Sequence, residues 1–385
     1  MKKMTRRRLI QTSVTSLGSA LFSASLTGFN GLLAADGKII PEPELLDYGI
    51  VPGRWTAQRA NEWQARYPWI VGCNYVVSSA VNQLEMWQAD TFDPETFNRE
   101  FALAESIGLN TVRIFLHDLA WQQDPEGFKG RMDTVLQIAA KHHLWVLYTF
   151  FTNGGPGVPI KIGKQPDPKP GVHNSGWLQS PGADVVNHPE KWGYLQDYVT
   201  DVLSSFAQDE RVLCWCLYNE PENEYNNNFS LPLLRTVWKW GREVNPSQPF
   251  TAPIFLLPSA GNPRSRFPIC AFLGENCDIM SFHCYESPET VQKFISMLED
   301  FHRPIICTEY MDRPGNTLFN VTPILKNHNV GAIHFGLVNG KCNFQFHGPN
   351  ELPEPKQWKH DLFRQDGTPF DPKEIEYLKK LTEKE

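Results

Sequence analysis

The chain has 385 residues, 41% of them hydrophobic, 12% aromatic and 21% charged, with a formal net charge of −7. That charged fraction is too low for a disordered chain, and the length allows one large core or two to three average domains. A mildly acidic balance with no long Lys/Arg-rich tract excludes the electrostatic footprint of a nucleic-acid binder.

Residues 1–35 read as an export signal. Thr5-Arg6-Arg7-Arg8-Leu9-Ile10 precedes an uncharged, mildly apolar stretch to Ala35, the pattern of a bacterial twin-arginine leader. The alternative is an uncleaved N-terminal anchor. Cleavage near Ala35 would remove Lys2, Lys3, Arg6, Arg7 and Arg8 and no acid, leaving a more acidic mature protein in the periplasm or outside the cell. No later stretch reaches 18 apolar residues, so no stable membrane partner is expected. Residues 36–68 form a lead-in segment.

From Trp69 onward, short apolar runs alternate with amphipathic stretches. The runs are Trp69–Val76, Thr111–Leu116, Leu144–Phe151, Val212–Tyr218, Phe250–Leu256, Asp278–Tyr285, Pro304–Tyr310 and Val330–Val338. Rich in Val, Ile and aromatics, they read as parallel strands buried on both faces. Between them, Trp192, Leu195, Val199, Val202 and Phe206 recur at helical spacing, as do Val291, Phe294, Leu298 and Phe301 behind Ser287-Pro288-Glu289. Further helices are expected over 94–107, 129–142, 231–244, 267–276, 322–329 and 371–383. Eight strand signals in β-α alternation predict an α/β protein, a single (β/α)8 TIM barrel over 69–385. A doubly wound sheet is disfavoured because no GxGxxG or GxxxxGK[ST] follows the first strand.

One connection is unusual. Residues 152–190 hold seven Gly and seven Pro among 39 residues. In a barrel, a loop after a strand lies on the catalytic face, so this one is expected to wall the cleft, with Trp177 and His173 as contacts. A mobile surface insertion is the bland alternative.

The eight cysteines sit mostly in apolar runs and behave as small buried hydrophobes, although Cys270 and Cys277 are near enough in sequence to close a short loop. No CxxC or HxxxH motif suggests a metal site, and no metal or other cofactor is expected.

Two acids stand at strand ends where the preceding apolar run gives little reason for charge: Glu220 in Leu217-Tyr218-Asn219-Glu220-Pro221, and Glu309 in Ile306-Cys307-Thr308-Glu309-Tyr310. Barrel strands converge at their C-terminal ends, which would bring the two together. Alternation along strands pairs Arg113 with His117, His283 with Tyr285, and Cys307 with Glu309 on common faces. If those faces point to the axis, a polar cluster crowns an apolar filling. The bland alternative is an ordinary buried ion pair between Arg113 and Glu309.

Asn219-Glu220-Pro221 after the fourth strand and Glu309 after the seventh resemble the two catalytic acids of clan A retaining glycoside hydrolases. Arg113 on the second strand and His283-x-Tyr285 after the sixth are similar to the supporting residues of glycoside hydrolase family 5, and the likeness spans about residues 69–340. It implies a glycosidase acting with retention on a β-linked, neutral oligo- or polysaccharide, with Glu309 as nucleophile and Glu220 as acid/base. Asn219 would bond the sugar 2-hydroxyl, while His283 and His117 would orient carboxylates or hydroxyls. Two departures are visible. The family's Trp at the end of the eighth strand is replaced by Phe335 or a later residue, and the usual His at the end of the third strand is missing, with His117 a candidate replacement.

Weaker candidates are Asn74 in the pocket, Glu222 and Glu224 near a second sugar, and Trp87 and Trp121 as stacking platforms or plain packing. His334 reads as a core histidine and Asp118 as a local cap. Two other functions compete: a carbohydrate-binding barrel that has lost catalysis, and a metal-dependent barrel hydrolase using His117, Asp118, His283 and Glu309.

Overall fold

The computed structural model describes residues 31–33, 39–41, 49–155, 159–223, 230–255 and 267–383. The expected leader, apart from 31–33, lies outside the described residues, as does Glu224. Gly31–Leu33 pairs antiparallel with Ile39–Pro41.

Eight barrel strands follow: β1 (Val71–Tyr75), β2 (Thr111–Phe115), β3 (Trp145–Thr152), β4 (Val212–Asn219), β5 (in two pieces, Phe250–Thr251 and Pro253–Ile254), β6 (Met280–His283), β7 (Ile305–Glu309) and β8 (Gly331–Phe335). Each pairs in parallel with its sequence neighbour, and β8 pairs with β1. One piece of β5 pairs with β4 and the other with β6, which closes the ring. The fold is a single (β/α)8 barrel.

The helices start where capping residues stop the chain from staying extended. Asp93 and Asp124 each accept a backbone N–H of the first turn ahead of a proline, opening Pro94–Ser106 and Pro125–Lys141. Helix Leu231–Val244 buries Leu231, Leu233, Leu234, Val237 and Trp238 and ends at Asn245, whose φ of 53° lies in the left-handed region. Each buried aliphatic side chain of this kind contributes about 1.5–3 kcal/mol. The wheel of helices therefore holds the strands by burial, leaving the mouth free for chemistry.

Inside the ring the filling is apolar. Leu147, Cys214, Cys216, Ile306 and Ile333 form one cluster with Ile70 and Ile279. Trp55 and Trp63, beside and on a helix at Ala57–Gln64, belong to the same cluster. The lead-in segment is thus part of the barrel's base. None of the eight cysteines is in a disulfide; Cys270, inside helix Phe267–Asn276, and Cys277, just after it, do not bridge. The 152–190 segment is not structureless either. It carries a short helix at Ala183–Val186, a 3-10 turn at Pro189–Lys191, and a bridge from Ser180 back to Thr152.

Candidate active site

The two acids reach the mouth by local irregularity as much as by strand alternation. Ile306 belongs to the interior filling and Cys307 to the outer core. Strict alternation would turn Glu309 outward with Cys307. A register shift between Cys307 and Glu309 against β6 brings Glu309 opposite His283 instead. Glu220 has φ 43° and Glu222 φ 66°, so the chain leaves β4 through left-handed backbone that costs free energy for non-glycine residues.

Glu309 is 5% exposed, and both of its oxygens are engaged from below. Arg113 Nη1 donates to Oε1 at 2.7 Å, and the Tyr285 hydroxyl donates to Oε2 at 2.7 Å. Arg113, fully buried, is itself fixed by Asn74 Oδ1 and Asn219 Oδ1, each at 2.6 Å, and stacks 4.7 Å over the Phe115 ring. Asn74 is anchored in turn by donating to the carbonyls of Thr308 and His334. The guanidinium cannot tilt without breaking both clamps. Burial and the charge of Glu309 push the Tyr285 phenol well above its usual range, so it remains a donor.

Glu220 meets a different environment. His283 Nδ1 lies 2.7 Å from its Oε1 and 3.5 Å from Glu309 Oε2, while Asn223 Nδ2 donates to Oε2 at 2.5 Å. One oxygen of each acid and His283 Nδ1 all fall within 4.8 Å of one another. Burial pushes His283 down to about 3, overriding the opposing pull of Glu309, so the imidazole is neutral and carries a single proton. Its Nε2 is buried without a hydrogen-bond partner. The Nδ1–Glu220 contact therefore takes one proton, on Nδ1 opposite an ionised Glu220, or on Glu220 when the imidazole proton sits on Nε2.

Above these groups opens a cavity of about 420 Å³ whose lining includes Glu220, Glu309, Asn219, Tyr285, Trp177 and Phe335. Arg113, Asn74 and His283 lie beneath that lining, so they position the acids from below. Trp177 stands edge-on to Phe115 at 4.8 Å, and Phe335 packs against Tyr285, Phe344 and His360. His173 lines the cavity from the 152–190 segment, as expected of a cleft wall.

Other expectations are corrected. His117 does not share the Arg113 face, because β2 stops at Phe115 and the chain turns into helix Asp118–Gln123. There His117 Nδ1 accepts the Leu119 N–H at 3.2 Å and lies 3.2 Å from Asp118, outside the cavity lining. Asp118 is bonded to Ser180 and Tyr194, so neither residue joins the Glu220–His283–Glu309 group as a metal ligand set. Trp87 is fully buried with its indole N–H on the Phe115 carbonyl, and Trp121 donates to Asp201; both are packing residues. Glu222 accepts from Ser230 and the Leu231 N–H, which orders the start of the next helix. His334 is buried within β8.

Six polar lining residues were not singled out in the sequence: Asn153, Asn174, Asn223, Asp312, Lys359 and His360. The last two belong to the long connection after β8, which has neither helical nor strand periodicity. Asn223, three residues after Glu220, was the easiest to find, since a loop beside an acid/base candidate needs a donor to hold it.

No family model matches the chain, and no curated protein matches it. Many solved structures do. GH5_18 from Streptomyces cattleya in complex with Manb1-4GlcNAc aligns over 81% of this chain and 80% of its own, at 11% identity and TM-score 0.56. The hyperthermostable endo-1,4-beta-D-mannanase from Thermotoga petrophila RKU-1 aligns over 81% and 99%, at 12% identity and TM-score 0.51. An exo-beta-1,4-mannosidase from Opitutaceae bacterium strain TAV5 aligns over 81% of this chain and 59% of its own, at 15% identity and TM-score 0.55. The likeness is one of fold: this chain shares their barrel.

Proposed function

We propose that the chain is an exported glycoside hydrolase that cleaves a β-glycosidic bond in a neutral oligo- or polysaccharide with net retention. The observation that carries this reading is the approach of Glu220 and Glu309 to within 4.8 Å, oxygen to oxygen, at the floor of one cavity. Retaining enzymes hold their carboxyls about 5–5.5 Å apart, whereas inverting ones need about 6.5–9.5 Å to admit a water between. The names of the similar structures point the same way, towards β-mannosidic linkages among others. Export rests on Arg6-Arg7-Arg8 and the stretch behind it.

Chemistry follows from the two environments. A Glu309 oxygen bonds the anomeric carbon while the Glu220 proton passes to the departing oxygen, breaking the glycosidic bond. Glu220, now ionised, takes a proton from water; the resulting hydroxide attacks the same carbon and frees Glu309. His283 suits Glu220 to both duties, because a neutral imidazole accepts a proton from the acid form or donates one to the base form at the same contact. Arg113 and Tyr285 spread the Glu309 charge between two donors, so that it is a good leaving group in the second step. Asn219 donates one amide hydrogen to Thr152 Oγ1 at 3.2 Å, leaving the other for a sugar 2-hydroxyl.

The test is kinetic. Glu309→Gln should lower kcat on aryl β-glycosides by about 10³-fold or more. Glu220→Gln should cost about 10²–10⁴-fold on poor leaving groups and much less on activated ones, which need no protonation. Unchanged turnover in both variants removes the two-carboxylate mechanism, and none in the parent on any glycan removes the enzyme in favour of a binding barrel. A metal-dependent hydrolase is a second reading, favoured by the compact Glu220–His283–Glu309 trio. Loss of activity in EDTA, restored by a divalent ion, selects it.

A further inference from the structure

The rim of the barrel is not symmetrical about the two acids. On the side spanning β8, β1, β2 and β3, the connections lock into one another. Asn174 N donates to the Cys342 carbonyl at 2.8 Å, and Asn343 Nδ2 donates to the Lys169 carbonyl at 2.9 Å, joining the segments after β3 and β8. Gln83 Nε2 and Asn82 Nδ2, after β1, donate to the carbonyls of Leu178 and Gly176. Gly171 and Gly176 lie where a Cβ would meet Pro349 at 2.9 Å and Val81 at 2.5 Å, so the three connections are in close contact. They make one continuous wall.

The inner face of that wall belongs to the neighbourhood of Glu309. Phe335, on β8, lies edge-on to Tyr285, which holds Glu309; Asp312 follows Glu309 by three residues. Lys359 Nζ donates to Asp312 Oδ2 at 2.9 Å, and both line the cavity. His360 Nδ1 contacts the Met311 carbonyl, which accepts only if that nitrogen carries the proton. Burial keeps the ring neutral, so its Nε2 is left as an acceptor. An ammonium, a carboxylate and an imidazole therefore line the cavity on this side. Glu220, by contrast, is held by Asn223 from the connection after β4.

A retaining glycosidase places the glycone over its nucleophile and the leaving group beside its acid/base. We propose, resting on the reading above, that this enzyme works from chain ends: the wall closes the glycone side, and Lys359, Asp312 and His360 select the non-reducing terminal sugar. Adjacent free hydroxyls of a terminal residue donate to the carboxylate and imidazole and accept from the ammonium. An internal residue has one of those hydroxyls replaced by a glycosidic bond, which both removes the donor and drives the next sugar into the wall. Sites that hydrogen-bond a substrate hydroxyl discriminate strongly against the analogue lacking it.

The test uses the full chain and β-linked manno-, gluco- and xylo-oligosaccharides of two to five units, reduced at one end to the alditol. The expected result is release of single sugars from the non-reducing end, with the alditol-bearing fragment shortening stepwise. An oligosaccharide whose non-reducing residue is blocked at O4 and O6 should be cut at least about 100-fold more slowly. Lys359→Met should raise KM by about 10-fold or more on the unblocked series while leaving kcat near the parent value, and should leave the poor rate on the blocked one unchanged. Internal fragments as first products, early loss of the alditol, or equal rates on blocked and unblocked substrate overturn the proposal. If those products still depend on Glu309, the glycosidase reading stands without it. If no oligosaccharide and no aryl β-glycoside is cut, both fall together.

Discussion

Two buried carboxylates, one at each end of the barrel, are held in opposite ways. Asp278, at the foot of β6, accepts four hydrogen bonds: the backbone N–H groups of Trp55 and Phe250 and two from the Arg242 guanidinium, all at 2.8 Å. Every oxygen is saturated, and nothing faces a cavity. Glu309, at the head of β7, is gripped by Arg113 and Tyr285 from below and opens into the cleft above. Both acids are paired with an arginine, so the pairing alone does not distinguish them. What does is the direction left open. A carboxylate satisfied all round ties elements together; one satisfied on the protein side only keeps a face open to the cavity.

The comparison is sharpest under mutation. Asp278→Ala strands Arg242 and two backbone donors, and removing one partner of a buried pair costs about 3–5 kcal/mol. Urea unfolding should show that loss while the folded fraction keeps its parental kcat. A variant that unfolds normally but turns over slowly would erase the contrast between the ends.

Acid separates the two ends next. Burial pushes His283 and His334 down to about 3 and His173 to about 4, against about 6.5 in the unfolded chain. Below pH 6.5 the unfolded chain takes up these protons and the native one does not, so stability falls as pH drops towards 4. Asp361, buried behind the β8 connection and pushed up to about 7, acts oppositely: native protein holds its proton between about 4 and 7, so its contribution is lost as pH rises through that window. His360, also driven well below the ordinary range by burial, is a fourth, so four histidines outweigh one aspartate by three protons. The expected slope is about 3–4 kcal/mol per pH unit, measured as the urea midpoint between pH 6.5 and 4.5. A flat profile would mean that the mouth-side imidazoles are solvated.

The smallest effect belongs to Tyr285. Tyr285→Phe removes one hydrogen bond to a charged oxygen, about 1.5–3 kcal/mol, and should lower kcat roughly 10- to 100-fold with little change in unfolding midpoint. If stability moves and kcat does not, Tyr285 belongs with the structural set typified by Asp278.

Much of this contrast was legible in the sequence because parallel strands buried on both faces read as unbroken apolar runs. An acid that ends such a run, as Glu220 and Glu309 do, stands out for the same reason. Alternation was a poorer guide. It paired Cys307 with Glu309 on one face, whereas a register shift separates them, and it carried β2 on to His117, where the strand had already ended. Both failures arise where the backbone departs from period two, which no count of apolar residues detects. Helix Ala57–Gln64 went unread because its inward contacts, Ala60 and Trp63, are too few to set a period. Asp312, Lys359 and His360 escaped for a different reason. They converge through contacts between separate connections, such as Lys359 with Asp312 across 47 positions, and loops that pack on each other leave no periodic trace.

The double-displacement account is tested most directly by trapping its intermediate. The protein is incubated with an activated 2-fluoro β-glycoside of the sugar it releases, denatured, digested and examined by mass spectrometry. The account predicts a single glycosyl adduct on the peptide containing Glu309, absent from Glu309→Gln. A labelled Glu220, or an unlabelled protein that turns natural substrate into product of inverted anomeric configuration, would contradict it.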